Sequence, residues 1–254
     1  MSGFLTVVGL GPGSDEQMTP QARTAVAAAE DLFGYGPYLD RLPRAAAQTR
    51  HVSGNREELS RAQAALTAAA SGRRVAVVSG GDAGVFAMAA AICEAIENGP
   101  DSWRQIDLEI VPGVTAMLAV AARVGAPLGH DFCAISLSDN LKPWETIEQR
   151  LRAVSSAGLA IALYNPISRS RPWQLGRAFE ILREILPAAT PVVFGRAAGR
   201  PDETIAVCRL DEADATKADM ATCVIVGSPE TRLVERTGQP ALVYSPRSST
   251  RPTA

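Results

Sequence analysis

Two successive stretches of α/β architecture are predicted by this 254-residue sequence, and three observations carry the prediction. Through the first half, short β-branched apolar runs alternate with Ala-rich segments of helical length, the pattern of a mainly parallel sheet. Beyond Gly125-Ala126-Pro127-Leu128-Gly129 the strand candidates outnumber the helices, which points to a mixed sheet with hairpins. Finally, two strand runs stop in glycine-rich turns that lead toward helices, Gly9-Leu10-Gly11-Pro12-Gly13-Ser14 and Ser79-Gly80-Gly81-Asp82. Such turns at the carboxyl ends of buried strands are where open α/β sheets bind ligands, because glycine lets the backbone come close to a bound molecule.

In chain order, Phe4 to Val8 reads as a buried strand, and Thr19-Pro20 as an N-cap with proline at the first helical position, opening a helix over Gln21 to Glu30. Leu32 to Tyr38 is expected to be a short strand ending in a loop, and Gln48 to Val52 a further strand. Ser53-Gly54-Asn55 turns the chain into a helix from Arg56 to Ala70, with Leu59, Ala62, Leu66 and Ala69 on one face. Val75 to Val78 is too short for a helix and reads as a strand; Gly84 to Ile96 is long enough for about three helical turns, with Phe86 read as core at its start. Ile106 to Val111 supplies a strand stopped by Pro112-Gly113, and Thr115 to Val124 a helix. In the second half, strands are expected at Phe132 to Leu137, Leu159 to Tyr164, Pro191 to Gly195, Thr204 to Cys208, Cys223 to Gly227 and Ala241 to Tyr244. Helices are expected at Trp144 to Ser156 and Pro172 to Leu186. Residues 246–254 have nothing to bury and read as a disordered tail.

Composition narrows the function. A hydrophobic content of 46% builds a proper core for one large domain or two small ones. No apolar run approaches the roughly 20 residues of a membrane span, and the amino terminus carries no charged segment followed by an apolar one; a cytoplasmic protein with no membrane partner is expected. Cys93, Cys133, Cys208 and Cys223 are scattered and the only histidines are His51 and His130, so buried thiols and no metal site are expected. The net charge of −2 argues against nucleic acid as the main partner. Of the 25 basic residues only Lys142 and Lys217 are lysines. Either the genome favours arginine, or some guanidinium forks grip a substrate with many carboxylates.

The two glycine turns exclude familiar ligands. G-x-G-x-x-G needs a glycine where Ser14 stands, and no acidic residue follows at a second strand to hold a ribose. The turn at 79–86 lacks the lysine of a Walker A loop. A neutral or cationic ligand remains, with Asp82 either offering it a carboxylate or capping the next helix.

Four motifs in order and spacing, VVGLGPGS at 7–14, SGGDAGVF at 79–86, PGVTA at 112–116 and LYNP at 163–166, resemble those of the tetrapyrrole methylase family. Ser14 stands where many members carry Asp, and Gly81-Asp82-Ala83 where many carry Gly-Asp-Pro. GYGPYLDRL at 34–42, APLGHDFCAISLSD at 126–139 and LYNPISRSRPWQL at 163–175 resemble the branch that methylates ring carbon 17 with contraction of the macrocycle in cobalamin biosynthesis. The resemblance implies two α/β domains, 1–113 and 114–245, in a homodimer, with S-adenosylmethionine in the interdomain cleft and a tetrapyrrole as substrate. It further implies that the cofactor touches Pro12, Gly81, Asp82, Ala83, Val85, Phe86, Thr115 and Ala116. From the second domain Leu163, Tyr164, Asn165, Arg196, Ala197 and Thr222 are implied to meet it. Ser14, Tyr35, His130 and Arg169 are the expected substrate contacts, with Arg171, Arg196 and Arg200 as further partners for substrate carboxylates. His130 reads first as a structural residue hydrogen-bonded to the backbone, and Tyr35 equally as an anchor for its own loop. A cobalt-containing substrate, or RNA or protein as the methyl acceptor, are the alternatives, as is a sensor that binds the cofactor without turnover.

Overall fold

A computed structural model describes residues 3–248; most of the expected tail, 249–254, lies outside the described residues. The chain divides after Ala116 into two compact units. The first holds strands β1 (Phe4–Gly9), β2 (Asp31–Tyr35), β3 (Thr49–Ser53), β4 (Arg74–Ser79) and β5 (Asp107–Val111), all parallel, in the order β3-β2-β4-β1-β5. Its helices are α1 (Pro20–Ala28), the single turn α2 (Gly36–Leu39), α3 (Glu58–Ala70) and α4 (Met88–Asn98). Strand alternation divides the core. Leu5, Val7, Val75 and Val77 pack with α3 and α4 on one face, while Val8, Ala76 and Val78 pack with α1 and Leu39 on the other.

The second unit contains α5 (Ala116–Val124, whose first residue closes the first unit), α6 (Trp144–Ser156) and α7 (Gln174–Arg183). Its strands are β6 (Gly125–Ala126), β7 (Phe132–Ser136), β8 (Ala160–Tyr164), β9 (Pro191–Arg196), β10 (Thr204–Arg209), β11 (Thr222–Val226), β12 (Arg232–Arg236) and β13 (Gln239–Tyr244). The main sheet runs β10-β9-β11-β8-β7, with only β7 and β8 parallel, and a small sheet runs β12-β13-β6. Ile161, Leu163, Val192, Phe194, Val224 and Val226 face the α6 and α7 side chains in one continuous core.

The parallel sheet followed by a mixed one agrees with the pattern in the sequence, and the differences have local causes. α4 starts at Met88, four residues later than Gly84, because residues 84–87 form an irregular turn with Phe86 at φ 52. Phe86 is accordingly half exposed and not core. Residues 36–39 coil into α2, with Pro37 near its start, where a strand running to Tyr38 is expected. In the first turn of α3 it is Arg61 that is buried and Leu59 that is exposed. The Arg61 guanidinium donates to Ser53 Oγ and the Gly54 carbonyl, both at 2.6 Å, and fills that space. Cys93 is exposed because it lies off the Met88, Ala89, Ile92, Ala95 stripe of α4. β12 hides in the charged run Arg232-Leu233-Val234-Glu235-Arg236, and its signal is the turn at Gly238, φ 70, that pairs it with β13.

At the carboxyl ends of β1, β4 and β5 the backbone packs so closely that side chains have no room. A Cβ on Gly113 would stand 2.3 Å from the Gly81 carbonyl oxygen and 2.7 Å from that of Gly9. Gly113→Ala is therefore expected to destabilise the protein by about 2 kcal/mol in urea titration. Gly176→Ala, inside α7 with its nearest neighbour 4.0 Å away, is expected to be neutral or stabilising by up to about 1 kcal/mol.

Candidate functional site

In the first unit the turns that follow β1 and β4 are joined to each other. Gly11 N–H donates to the Gly81 carbonyl at 3.0 Å and Gly81 N–H to the Gly11 carbonyl at 2.9 Å, a backbone bridge between two loops. Both residues are left-handed, φ 72 and 69, a conformation that glycine adopts at no steric cost. Arg41 braces the first loop: its guanidinium donates to the carbonyls of Gly11 (3.1 Å), Leu10 (3.0 Å) and Gly13 (3.3 Å). No sequence motif singles out Arg41, because its role depends on a loop 30 residues away.

Asp82 does not cap α4, whose N-cap is Ala87. Its Oδ1 accepts from Gly84 N–H at 2.8 Å and its Oδ2 from Gly113 N–H at 2.9 Å. The carboxylate thus ties the turn after β4 to the one after β5. Ala83 is fully buried and its carbonyl accepts from Ala89 N–H at 3.0 Å, anchoring the turn to α4. A Cβ on Gly81 would meet no clash, making ordinary van der Waals contact with Thr115 Cα at 3.7 Å and the Ala116 nitrogen at 3.9 Å. Pro12 is buried, Thr115 is 6% exposed, and Val85 and Ala116 are half-buried. The first unit therefore brings Pro12, Gly81, Asp82, Ala83, Val85, Phe86, Thr115 and Ala116 together along one edge of its sheet.

Of the expected substrate contacts in this unit, Ser14 caps the short turn Asp15–Gln17 by accepting from Glu16 N–H at 3.1 Å. Tyr35, at the carboxyl end of β2, packs edge-on against Tyr38 with ring centroids 5.5 Å apart.

In the second unit the strand register gathers the other residues at one end of the main sheet. Val224 pairs with Leu163 and Thr222 with Arg196, so Tyr164, Asn165, Arg196, Ala197 and Thr222 lie together. Leu163 itself is a fully buried core residue. Asn165 and Ala197 take φ 52 and 51, which makes them, with Phe86, the non-glycine residues of positive φ among those described. Strain of this kind concentrates at ligand sites and persists only where neighbours over-determine it. At Asn165 the neighbours are Ser136 Oγ, which accepts from Asn165 Nδ2 at 3.0 Å, and buried Arg171, which donates to the Asn165 carbonyl at 2.9 Å. Tyr164 Oη accepts from Met117 N–H at 3.0 Å, at the start of α5.

The arginines divide. Arg196 is held by Asp219 at 2.7 Å and Asp202 at 2.9 Å. Burial acts to raise the Asp219 carboxyl, but hydrogen bonds from Arg196, Thr222 and the Ala221 amide outweigh it and hold the group below its usual range. Arg196 and Arg171 are thus structural in this arrangement, and Arg169 and Arg200 are exposed. His130 lies at the other end of the sheet, two residues before β7, with Nε2 2.8 Å from buried Ser228 Oγ. It lines a cavity of about 360 Å³ with Asp131, Glu230 and Arg247. At about 3.3 Å per residue, the strand separates it from Asn165 by roughly 20 Å.

This architecture with these turns is matched by known proteins. The profile of the Tetrapyrrole (Corrin/Porphyrin) Methylases matches residues 5–214, and the chain belongs to that family; it is a methyltransferase. In particular it is similar to a precorrin-3B C(17)-methyltransferase of Sinorhizobium sp, 70% identical over 97% of each chain. A probable cobalt-factor III C(17)-methyltransferase of Salmonella typhimurium is 41% identical over 97% of this chain and 100% of that protein. The crystal structure of the methyltransferase CobJ superposes with a TM-score of 0.92 at 50% identity, over 96% of this chain and 100% of that one.

If Asp82 is the tie that orders the first site, its removal must free two amides. Asp82→Ala is expected to destabilise the protein by about 2 kcal/mol and to speed hydrogen exchange at Gly84 and Gly113, measured against Asp82→Asn, which keeps one carbonyl acceptor.

Proposed function

We propose that this protein transfers the methyl group of S-adenosylmethionine to carbon 17 of precorrin-3B, with ring contraction to precorrin-4, in cobalamin biosynthesis. The observation that carries the reading is the joined pair of glycine turns within a chain 70% identical to a precorrin-3B C(17)-methyltransferase. The drop to 41% against the cobalt-factor III relative favours the metal-free substrate. A cytoplasmic homodimer is part of the same proposal on family grounds.

The residues fit the cofactor. S-Adenosylmethionine carries a sulfonium, a zwitterionic amino acid and an adenine, so it needs no phosphate grip, and the turns offer none. The side-chain-free backbone at Gly81, with Asp82 and Ala83 held rigid beside it, suits a ligand that packs against main chain. Pro12, Val85, Phe86, Thr115 and Ala116 would wall it. In the second unit Tyr164, Asn165, Ala197 and Thr222 would contribute mainly backbone, given the left-handed Asn165 and Ala197, while Leu163 and Arg196 would act through the positions they hold.

The cofactor supplies an electrophilic methyl group, and displacement at it asks chiefly for alignment within about 3 to 3.5 Å. What the chain supplies is rigidity: the Gly11–Gly81 bridge, the Asp82 tie and the Arg41 brace fix the turns before any ligand arrives. No side-chain nucleophile is called for.

The test is to incubate the purified protein with S-adenosylmethionine and either precorrin-3B or cobalt-factor III, following S-adenosylhomocysteine and the optical spectrum. The expected result is turnover with a spectral change for precorrin-3B and a rate at least about tenfold lower for the cobalt substrate. Binding of the cofactor without S-adenosylhomocysteine would make the protein a sensor, and preference for the cobalt substrate would replace the substrate named here. Gly81→Val, which puts a β-branched side chain beside Thr115 and at φ 69, a backbone it adopts only under strain, is expected to abolish cofactor binding in calorimetry, with circular dichroism and urea titration reporting any loss of fold.

A further inference from the structure

Two loops in the second unit lie near Asn165, each held by the strand and helices that flank them. One runs from Leu137 to Pro143 after β7, and the other from Pro166 to Trp173 after β8. Three contacts tie them to the elements around them. Leu137 N–H donates to the Tyr164 carbonyl at 2.9 Å, Gln174 Nε2 donates to both Asp139 oxygens at 3.2 and 3.1 Å, and Trp144 meets Trp173 edge-on with centroids 4.8 Å apart. Gln174 is 1% exposed and its Oε1 is buried without a hydrogen-bond partner. In the first of these loops sits Lys142, half-buried, its Nζ donating to the Ser138 carbonyl at 3.1 Å.

The surroundings of Lys142 are unusual for this chain. Elsewhere in the unit Arg123, Arg152, Arg177, Arg196 and Arg209 each form an ion pair with a carboxylate. Among the described residues Lys142 forms none. Burial lowers its pKa, repulsion from Arg150 and Arg171 acts in the same direction, and Asp139, already engaged by Gln174, opposes them. A half-buried ammonium that forms no ion pair gains from an incoming anion what the fold withholds. Leu141, its neighbour in the chain, is 92% exposed, and Trp173, packed on Trp144 two residues further on, is 48% exposed. A macrocycle with carboxylates on its rim, the substrate proposed above, offers both an anion and an apolar face.

We propose that Lys142 binds a side-chain carboxylate of the tetrapyrrole, with Leu141 and Trp173 covering the adjoining apolar face of the ring. The inference rests on the tetrapyrrole reading given above and names the residue that grips the substrate. It departs from the expectation that arginines do this work: Arg171 and Arg196 are committed to the protein's own carbonyls and carboxylates.

The test compares the wild-type protein with Lys142→Met and Lys142→Arg. Lys142→Met is expected to raise KM for precorrin-3B about tenfold or more, with kcat within about twofold and the Kd for S-adenosylmethionine unchanged. Lys142→Arg should recover most of the loss. A KM unchanged in Lys142→Met, or a cofactor affinity that falls in step with KM, would overturn the proposal. In a second arm uroporphyrin III, a polycarboxylate macrocycle, is titrated by absorbance, and a Kd at least about tenfold weaker for Lys142→Met is expected. If the wild type does not turn over precorrin-3B, the activity reading fails and this arm alone decides Lys142: equal Kd values overturn it. A wild type that neither turns over precorrin-3B nor binds uroporphyrin overturns both.

Discussion

Backbone contact between three glycine-bearing turns at the carboxyl edge of the parallel sheet is the constraint from which the rest of the first unit follows. Gly9, Gly81 and Gly113 approach so closely that a Cβ on Gly9 would meet Gly113 nitrogen and the Gly81 oxygen, both at 2.8 Å. The close approach is possible because β1 lies between β4 and β5 and all three run in the same direction, so their turns emerge side by side. Asp82 and Arg41 then satisfy amides and carbonyls that a turn of this tightness leaves without ladder partners. The outcome is a stiff surface of main chain, which suits a ligand that must be aligned and not chemically activated.

The second unit meets a different demand by a different device. Its antiparallel pairing puts the end of β8, the start of β11 and the end of β9 at one level, so residues distant in sequence become neighbours. Asn165 and Ala197 carry positive φ there, at a cost of the order of 1–3 kcal/mol each. Buried Arg171 and the ion-paired Arg196 hold the flanking chain in place. The guanidiniums of this arginine-rich chain thus serve largely to hold backbone, a task for which a planar fork of five donors is well shaped.

Much of this was legible in the sequence because it depends on local rules. The β-branched runs and the proline and glycine stops locate most strands to within a residue or two, and Thr19-Pro20 marks the start of α1 by accepting from Ala22 N–H at 3.1 Å. α6 spans Trp144–Ser156, the bounds expected from the sequence. What was hidden depends on contacts between distant residues. Asp82 looks like a helix cap until the turn at 84–87 delays α4 and Gly113 supplies a second donor. Phe86 looks like core until its backbone turns left-handed. The bracing by Arg41 and the isolation of Lys142 leave no trace in any spacing, since each is defined by partners, or their absence, on other loops. His130, adjacent in sequence to a strand, belongs to the hydroxyl cluster of Ser228, Thr231 and Ser245 at the far end of its sheet.

The central claim is that the glycine turns, rigid in advance, are the floor on which the methyl donor lies. A crystal structure of the protein with S-adenosylhomocysteine tests it most directly. The account predicts ligand density packed against the backbone of Gly81, Asp82 and Ala83, with those residues unmoved and the Asp82 bonds to Gly84 and Gly113 intact. Ligand found elsewhere, such as in the cavity beside His130, or bound only after the Gly11–Gly81 bridge has opened, would contradict it.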